Sequence, residues 1–209
     1  MKLFLASGNK HKQKEMQELL PEYEILIPSD VGINFDPEET GSSFLENSLI
    51  KAKALYDLVH EMVIADDSGI CVEALNNEPG IYSSRYAGPE FMHGYPDGKK
   101  ITQEEQNYFL IQQLNETKSN NRNCHYVCAM VLLINHSRFF VAQETFEGKL
   151  IENINDQAGS GGFGYDPIVF LPKYNKTVAE ISSEEKNKIS HRGKAVATIA
   201  TILKNLKNN

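Results

Sequence analysis

The chain has 209 residues, of which 41% are hydrophobic and 23% are charged, and its formal net charge is −7. This composition is that of a globular protein, and a chain of this length can bury a core without disulfides or a structural metal. The negative charge argues against extended nucleic-acid binding, which needs a basic surface. It still allows one small phosphorylated ligand, because a local cluster or a bound cation can reverse the sign of a pocket.

Cysteine usage and the lack of targeting signals predict a cytoplasmic protein that does not enter a membrane. Only four consecutive apolar residues, 3–6, precede the first polar turn, too few for a signal peptide. No apolar run approaches the length of a membrane span. The three cysteines are an odd number, and no second cysteine or histidine pair completes a zinc site around Cys124 and Cys128. We therefore predict buried thiols in a reducing compartment.

The first sixty residues predict strands that alternate with helices. Apolar runs bounded by turn residues predict strands, and apolar residues at helical spacing predict helices. The predicted elements are a strand at 2–6, a turn at Ser7-Gly8-Asn9, a helix to about Leu20, a strand at 23–28, a polar loop at 29–43 with Ser42 or Ser43 as N-cap, and a helix from Phe44 to His60.

The rest of the chain adds a long loop and a hairpin. Residues 62–75 predict two strand-like runs broken by a turn at Asp66-Asp67-Ser68-Gly69. The later elements are a loop region at 76–100, a helix at 102–115, strands at 124–134 and 138–150 joined as a hairpin, a glycine-rich turn at 159–164, a strand at 166–170 and an amphipathic C-terminal helix. This order predicts a mixed α/β sheet. No linker divides it, so we predict one domain, 1–209.

The segment SGNKHK, at 7–12, lies where a strand passes into a helix. Backbone N–H groups at a helix start bind phosphate, and Lys10, Lys12 and Lys14 add positive charge nearby. It is not a Walker loop, because the glycines and the final Lys-Ser or Lys-Thr pair are missing. On spacing alone, a helix capped by Ser7 or Asn9 with solvated lysines is slightly favoured.

Two acidic segments are candidate cation sites. Glu38-Glu39 lies in a polar loop, where a solvated acidic loop is the simpler interpretation. Asp66-Asp67 follows a buried apolar run, where two carboxylates are costly without a partner or a metal. Such oxygen ligands suit Mg²⁺, and one carboxylate could act as a base towards an attacking water. Spacing does not choose between the two adjacent acids.

The segment 159–164 matches G-x-G-x-x-G, but the dinucleotide motif requires a strand before it and a helix after it. A strand containing a proline follows instead, so we reject a Rossmann site. Two interpretations are left. Either the flexible turn brings Phe163, Tyr165 and Asp166 towards a nucleobase or ribose, since rings stack on bases, or it is a tight turn with Phe163 in the core.

The segment 184–195 has five residues that are basic or can become so: Lys186, Lys188, His191, Arg192 and Lys194. His191-Arg192 precedes Gly193 and is interpreted as a turn whose donors could face a phosphate or a planar polar ligand. By itself, a solvated charge run explains it better. Together with the acidic and glycine-rich segments, it indicates phosphate ester or anhydride chemistry with a divalent metal.

The same segments resemble the inosine triphosphate pyrophosphatase family, also called the Ham1-like family. The matching strings appear in the family's order and span nearly the whole chain. They are SGNKHK at 7–12, EETG at 38–41, FLENSLIKA at 44–52, IADDSGICVEAL at 64–75, PGIYSSRYAG at 79–88, GGFGYDPIV at 161–169 and EEKNKISHRGKA at 184–195. Residues 89–103 and 116–123 match no family motif, which leaves loop closure and the dimer contact undetermined.

The resemblance implies hydrolysis of non-standard purine nucleoside triphosphates (ITP, dITP, XTP) to the monophosphate and pyrophosphate. It implies Mg²⁺ as cofactor, a homodimer, and an elongated mixed α/β fold with a cleft between two lobes. By motif, Glu39 and Asp67 would bind Mg²⁺, and Asp67 would also accept the proton of the attacking water. The implied substrate contacts are Ser7, Gly8, Asn9, Lys10, His11 and Lys12 for phosphates, with Lys51 as a further phosphate contact, Ser68, then Phe163, Gly164, Tyr165 and Asp166 around the nucleoside, and Lys186, His191 and Arg192 for base and phosphates.

Three other functions stay open at this stage. A related pyrophosphatase could prefer other bases, such as modified pyrimidines. A non-catalytic nucleotide-binding protein could have the same fold. A protein interaction module finds little support, because the distinctive segments are polar turns rather than an apolar patch.

Overall fold

The computed structural model describes residues 1–91, 94–99 and 101–207. Three residues of the predicted loop region, Met92, His93 and Lys100, lie outside the described residues. Most helices and strands occur where the apolar periodicity predicts them, but the strand predicted at 166–170 begins only at Val169, because Asp166–Ile168 form a 3₁₀ helix. In chain order they are β1 (Lys2–Leu5), α1 (Lys10–Leu19), β2 (Glu24–Leu26), α2 (Phe44–Val59), β3 (Val63–Val72), α3 (Gln103–Glu116), β4 (Asn123–Asn135), β5 (Arg138–Leu150), β6 (Val169–Leu171), β7 (Lys176–Thr177), α4 (Ser183–Ile189) and α5 (His191–Lys207).

The strands form a seven-stranded sheet in the order β2-β1-β3-β4-β5-β6-β7. Strand β1 is parallel to both of its neighbours, with Phe4 opposite Val63 in β3. Strand β6 is antiparallel to both of its neighbours, with Leu150 of β5 opposite Val169. The predicted mixed α/β sheet is therefore confirmed.

The chain divides into two compact units. The first consists of Met1–Ser68, Val127–Glu144 and Asn187–Asn209, and the second of Gly69–Tyr126 and Thr145–Lys186.

The first unit has two hydrophobic cores, because successive side chains of a strand point to opposite faces of the sheet. Leu3 and Leu5 of β1 belong to one core, together with apolar residues of α1 and α5. Phe4 and Ala6 belong to the other, together with apolar residues of α2. Hence α1 and α5 pack on one face of the sheet in this unit, and α2 packs on the opposite face.

The second unit contains α3. Thr102 caps α3 with its side chain, and Glu105 completes the capping box. Inside the unit, the Tyr86 ring packs edge-on against Phe91 and Phe109, with centroid distances of 4.6 Å and 5.2 Å.

The structure contradicts two further predictions of local structure. Asp66-Asp67-Ser68-Gly69 is not a turn, because β3 runs without a break from Val63 to Val72. His191-Arg192 is not a turn either, because these residues begin α5. In both places turn-forming residues suggested a break, but the surrounding sheet and helix packing override that local preference.

Candidate active site

Strand β3 separates its two aspartates. In a strand, successive side chains point to opposite faces. Asp66 lies on the face covered by α1 and α5, as Ile64 does, whereas Asp67 lies on the α2 face, as Ala65 does. The two carboxylates therefore meet different partners, and this distinction exists only because the strand is continuous.

Asp66 lies at the centre of a buried ion-pair network. Its side chain is fully buried, and Oδ2 lies 3.0 Å from Lys12 Nζ and 3.1 Å from Arg192 Nη2. Ser68, two positions along β3, donates to the same oxygen at 3.3 Å and accepts from Arg192 Nη2 at 2.9 Å. Arg192 Nη1 also contacts Glu15 Oε2 at 2.6 Å. One carboxylate oxygen thus holds three of the residues expected to bind substrate.

Electrostatics keep this network ionised. Burial alone would raise the pKa of Asp66, but the positive charges of Lys12 and Arg192 hold that pKa well below its ordinary range. Burial alone would lower the pKa of Arg192, yet the negative charges of Asp66 and Glu15 raise it. Asp66 and Arg192 are therefore both charged throughout the physiological pH range.

Asp67 faces a different set of groups. Its Oδ1 lies 3.1 Å from Lys51 Nζ, and its Oδ2 accepts from Asn47 Nδ2 at 3.3 Å. The Lys51 ammonium group also lies 3.0 Å from Glu39 Oε1. Lys51 and Asn47 lie four positions apart on α2, so both side chains point to the same face of this helix.

Asp67 is a stronger base than an ordinary aspartate. Burial raises its pKa, Lys51 opposes that increase, and the negative charge of Glu39 adds to it, so that the net effect is a raised pKa. Burial would lower the pKa of Lys51, but Asp67 and the neighbouring carboxylates raise it, so Lys51 stays protonated.

The N-terminal turn is ordered by its own side chains. Asn9 caps α1, and its Oδ1 accepts from the backbone N–H groups of His11 and Lys12 at 2.8 Å and 3.4 Å. The Ser7 hydroxyl accepts from Asn9 N at 3.1 Å. The predicted Asn9 cap is therefore present, but the lysines are not all solvated, because Lys12 is paired with Asp66. Gly8, Asn9, Lys10 and His11 are exposed, while Lys12 is half-buried because it reaches Asp66.

His191 and Arg192 occupy the first turn of α5 and are buried. Gly193 follows them, and a Cβ at that position would lie 1.9 Å from the carbonyl oxygen of Asn187. Glycine is therefore required for α5 to begin so close to α4. This contact places Arg192 against Asp66, where its guanidinium takes part in an internal ion pair.

The second unit contains the glycine-rich segment, and the groups around this segment converge on the carboxylate of Asp166. This carboxylate is buried. Its Oδ2 accepts from Phe163 N at 2.9 Å and from Lys186 Nζ at 2.6 Å, and its Oδ1 accepts from the Tyr126 hydroxyl at 3.1 Å. Asp166 therefore fixes the turn and the lysine from inside, which is a supporting rather than an exposed position.

The turn around Asp166 leaves no space for a larger residue at position 162. Gly162 has a φ of 68°, and a Cβ there would lie 1.9 Å from Asp166 Oδ2. Phe163 is half-buried, and Lys186 Nζ lies 5.1 Å from the centroid of its ring. Tyr165 is buried and donates its hydroxyl to Ser83 O at 2.8 Å. Of the predicted nucleoside contacts in this segment, Phe163 and Gly164 are the more accessible ones.

Sequence reasoning missed three residues. Asn47 and Glu15 could have been found, since each lies three or four positions from a predicted lysine on one helix face. Tyr126 had no such signal, because it lies in a continuous apolar strand 40 positions before Asp166.

A cavity of about 880 Å³ in the second unit contains none of the predicted site residues. It is lined by residues of α3 and of the segments 118–122 and 152–154. Its most basic member, Arg122, donates to the carbonyl oxygens of Leu150 and Ile151, so that this side chain braces the cavity wall.

The two carboxylates of β3 lie against cations of the neighbouring helices, and carboxylates and cations are the groups that an enzyme of phosphate chemistry requires. That is the class which the fold and these residues define. More narrowly, the chain belongs to the Ham1 family, whose family model matches residues 3–202.

Relatives of similar length support this assignment. A dITP/XTP pyrophosphatase of Treponema denticola is 49% identical over 204 residues, which cover 98% of this chain and 99% of the relative. One from Leptospira interrogans is 41% identical over 207 residues, covering 97% and 96%. Among solved structures, the Ham1 protein of Staphylococcus aureus superposes with a TM-score of 0.82 at 35% identity, covering 98% of this chain and 99% of that one. A HAM1 protein of Coxiella burnetii gives 0.85 at 35% identity, with the same coverage.

Among the described residues, no helix combines the length and the apolar character needed to cross a membrane.

Proposed function

We propose that this protein hydrolyses non-standard purine nucleoside triphosphates, with dITP, ITP and XTP as substrates, to the monophosphate and pyrophosphate. The observation that carries the proposal is the arrangement of Glu39, Lys51 and Asp67, in a chain that belongs to the Ham1 family. The named activity of the relatives, dITP/XTP pyrophosphatase, supports the choice of substrate.

The reaction breaks the bond between the α-phosphorus and the oxygen that bridges it to the β-phosphate. A water oxygen attacks the α-phosphorus, its proton passes to the Asp67 carboxylate, and the bridging oxygen leaves with the electron pair as part of pyrophosphate. The raised pKa of Asp67 favours this proton transfer. Lys12 and Lys51 offset the negative charge that develops on the phosphates.

Mg²⁺ belongs to the same proposal. Among the described residues, no cluster of three or more acidic, histidine or cysteine side chains could hold a metal. Mg²⁺ is often held by only one or two carboxylates together with waters and substrate phosphates. Glu39 and Asp67 fit this pattern, since both carboxylates already converge on the cationic Nζ of Lys51. When bound, the ion would polarise the phosphates and lower the pKa of a coordinated water.

The glycine-rich segment supplies the proposed nucleoside contacts. The half-buried ring of Phe163 suits stacking on a base, and Lys186, fixed by Asp166, is a donor beside that ring. A 6-keto purine presents an acceptor where adenine presents a donor, so a donor that faces this edge rejects ATP by leaving groups unpaired. His191 is proposed to assist as a further donor.

Pyrophosphate release from ITP, XTP, dITP, GTP, ATP and dUTP, each with Mg²⁺ and with EDTA, tests the proposal. We expect kcat/KM for ITP and XTP to exceed that for ATP by about 100-fold or more, the range available when buried donors are left unpaired. EDTA should abolish turnover. Equal rates on ITP and on ATP or dUTP would contradict the purine assignment. Release of orthophosphate instead of pyrophosphate would contradict the bond that is cleaved.

A homodimeric state and a cytoplasmic location complete the proposal. The three cysteines are free thiols, as expected in a reducing compartment. Light scattering during gel filtration tests the dimer, and cell fractionation tests the location.

A further inference from the structure

Lys51 lies where a cation is needed by two carboxylates at once. Its Nζ is 3.0 Å from Glu39 Oε1 and 3.1 Å from Asp67 Oδ1. The lysine side chain is 9% exposed, so little water takes part in these contacts.

Two carboxylates this close to one point repel each other unless positive charge lies between them. An ammonium group provides that charge and has three N–H donors, enough to serve both oxygens. A divalent cation attracts the same oxygens more strongly, but it would have to approach the positive charge of Lys51, which already lies 3.0 Å and 3.1 Å from them. The ammonium and the metal therefore exclude each other.

We propose that Lys51 competes with the divalent cation for Glu39 and Asp67, so that the nucleotide-free protein binds the metal weakly. The proposal deepens the function proposed above, and it rests on the assignment of these two carboxylates as metal ligands. The metal gains access to the two carboxylates when the Lys51 ammonium group pairs instead with the phosphate oxygens of a bound triphosphate. Nucleotide binding therefore favours metal binding and metal binding favours nucleotide binding, because both draw Lys51 away from the two carboxylates.

Mn²⁺ titration of the nucleotide-free protein, followed by electron paramagnetic resonance, tests this directly. Mn²⁺ prefers the same oxygen ligands as Mg²⁺. Replacing the lysine by a neutral side chain, Lys51→Met, removes a unit charge about 3 Å from both ligands. It should tighten Mn²⁺ binding by at least about ten-fold, given the strength of charge interactions at that separation. Lys53→Met changes an exposed lysine of the same helix and should leave Mn²⁺ binding unchanged.

Lys51→Gln is the second variant if Lys51→Met folds poorly, because its amide still donates hydrogen bonds to the carboxylates but has no charge. It should also bind Mn²⁺ more tightly, and Mn²⁺ should raise its melting temperature more than that of the wild type. Equal or weaker Mn²⁺ binding by the neutral variants would overturn the competition.

Adding Glu39→Gln to Lys51→Met separates this proposal from the function on which it rests. The double variant should lose the gained affinity. If it keeps that affinity, the Mn²⁺ site does not involve Glu39 and the competition is refuted, whatever the pyrophosphate assay shows. Conversely, a wild-type protein that releases no pyrophosphate would refute the function without changing the Mn²⁺ result.

Discussion

Asp66 and Asp67 are adjacent in β3, yet their carboxylates lie on opposite faces of the sheet. Asp66 is fully buried between Lys12 and Arg192, whereas Asp67 lies beside Lys51. Their pKa values are displaced in opposite directions, downwards for Asp66 and upwards for Asp67. Neighbouring acids therefore have separate tasks, one in organising cations and the other as the proposed base.

Asp67→Asn should lower kcat for pyrophosphate release from ITP by about 10²- to 10⁴-fold, the usual contribution of a general base. Binding of the triphosphate should largely persist, as measured by isothermal titration with a non-hydrolysable analogue. Unchanged turnover would remove Asp67 from the mechanism.

Asp66→Asn should destabilise the fold by about 3–5 kcal/mol at pH 7, because it leaves buried cations without their partner. The folded pKa lies far below the ordinary value of about 3.9. The stabilisation is therefore complete above about pH 5 and is lost as the pH falls. Urea unfolding at several pH values should show the difference from the wild type shrinking below pH 5. Asp36→Asn, at an exposed aspartate, should show no such trend, and a difference for Asp66→Asn that is independent of pH would contradict the account.

Tyr126→Phe removes the hydroxyl that donates to Asp166 Oδ1. A buried carboxylate oxygen without its donor costs about 1–3 kcal/mol, and the turn that it supports loosens. We expect KM for ITP to rise by about five-fold or more while kcat changes little, together with weaker discrimination against ATP. Tyr23→Phe is the control, since it alters a buried tyrosine of the first unit, whereas Asp166 belongs to the second. A fall in kcat with an unchanged KM would argue against a positioning role for Tyr126.

Gly162→Ala should impair ITP binding more than Gly98→Ala does, although both place alanine at a positive φ. Its Cβ would lie 1.9 Å from Asp166 Oδ2, so the carboxylate has to move. Gly98→Ala is the comparison, because Gly98 has a φ of 79° but nothing within 4 Å of an added Cβ. Steady-state kinetics with ITP should show a raised KM for the first variant and near wild-type values for the second. Equal effects of both would mean that backbone strain alone matters.

The three cysteines should react slowly in the folded protein. Burial raises the pKa of Cys71 to about 11 and that of Cys124 and Cys128 to about 12. The thiolate is the reactive form, so Ellman's reagent at pH 8 should label all three rapidly only after unfolding in guanidinium. One fast thiol in the native protein would contradict this burial.

Periodicity was enough to predict most of the helices and strands, because the spacing of apolar residues within each segment identifies its buried face. The bounds of α2, β4 and β5 agree closely with the predictions. The break at residues 66–69 was predicted wrongly, since Ser68 and Gly69 favour turns but lie in a strand with a partner on each side. The turn propensity of a residue depends on its sequence neighbours and carries no information about the strands that pair with it.

The candidate site was only partly predictable for the same reason. The predicted cation Arg192 was found by motif, but its partner Asp66 is 126 positions away. That separation also hid the role of Asp66, which spacing could not distinguish from Asp67. The contact of Tyr126 with Asp166 could not be predicted, because a tyrosine in an apolar strand has no sequence feature that points to a distant carboxylate.

The distance along the chain between Asp66 and Arg192 also has a consequence for synthesis. A growing polypeptide acquires Asp66 and Lys12 first, but Arg192 only after a further 126 residues. Until then the buried network lacks its guanidinium, and the carboxylate has no full set of partners. Products that terminate before Arg192 would therefore be unstable and open to proteolysis, so that the ion-pair network forms only in a polypeptide that includes this residue.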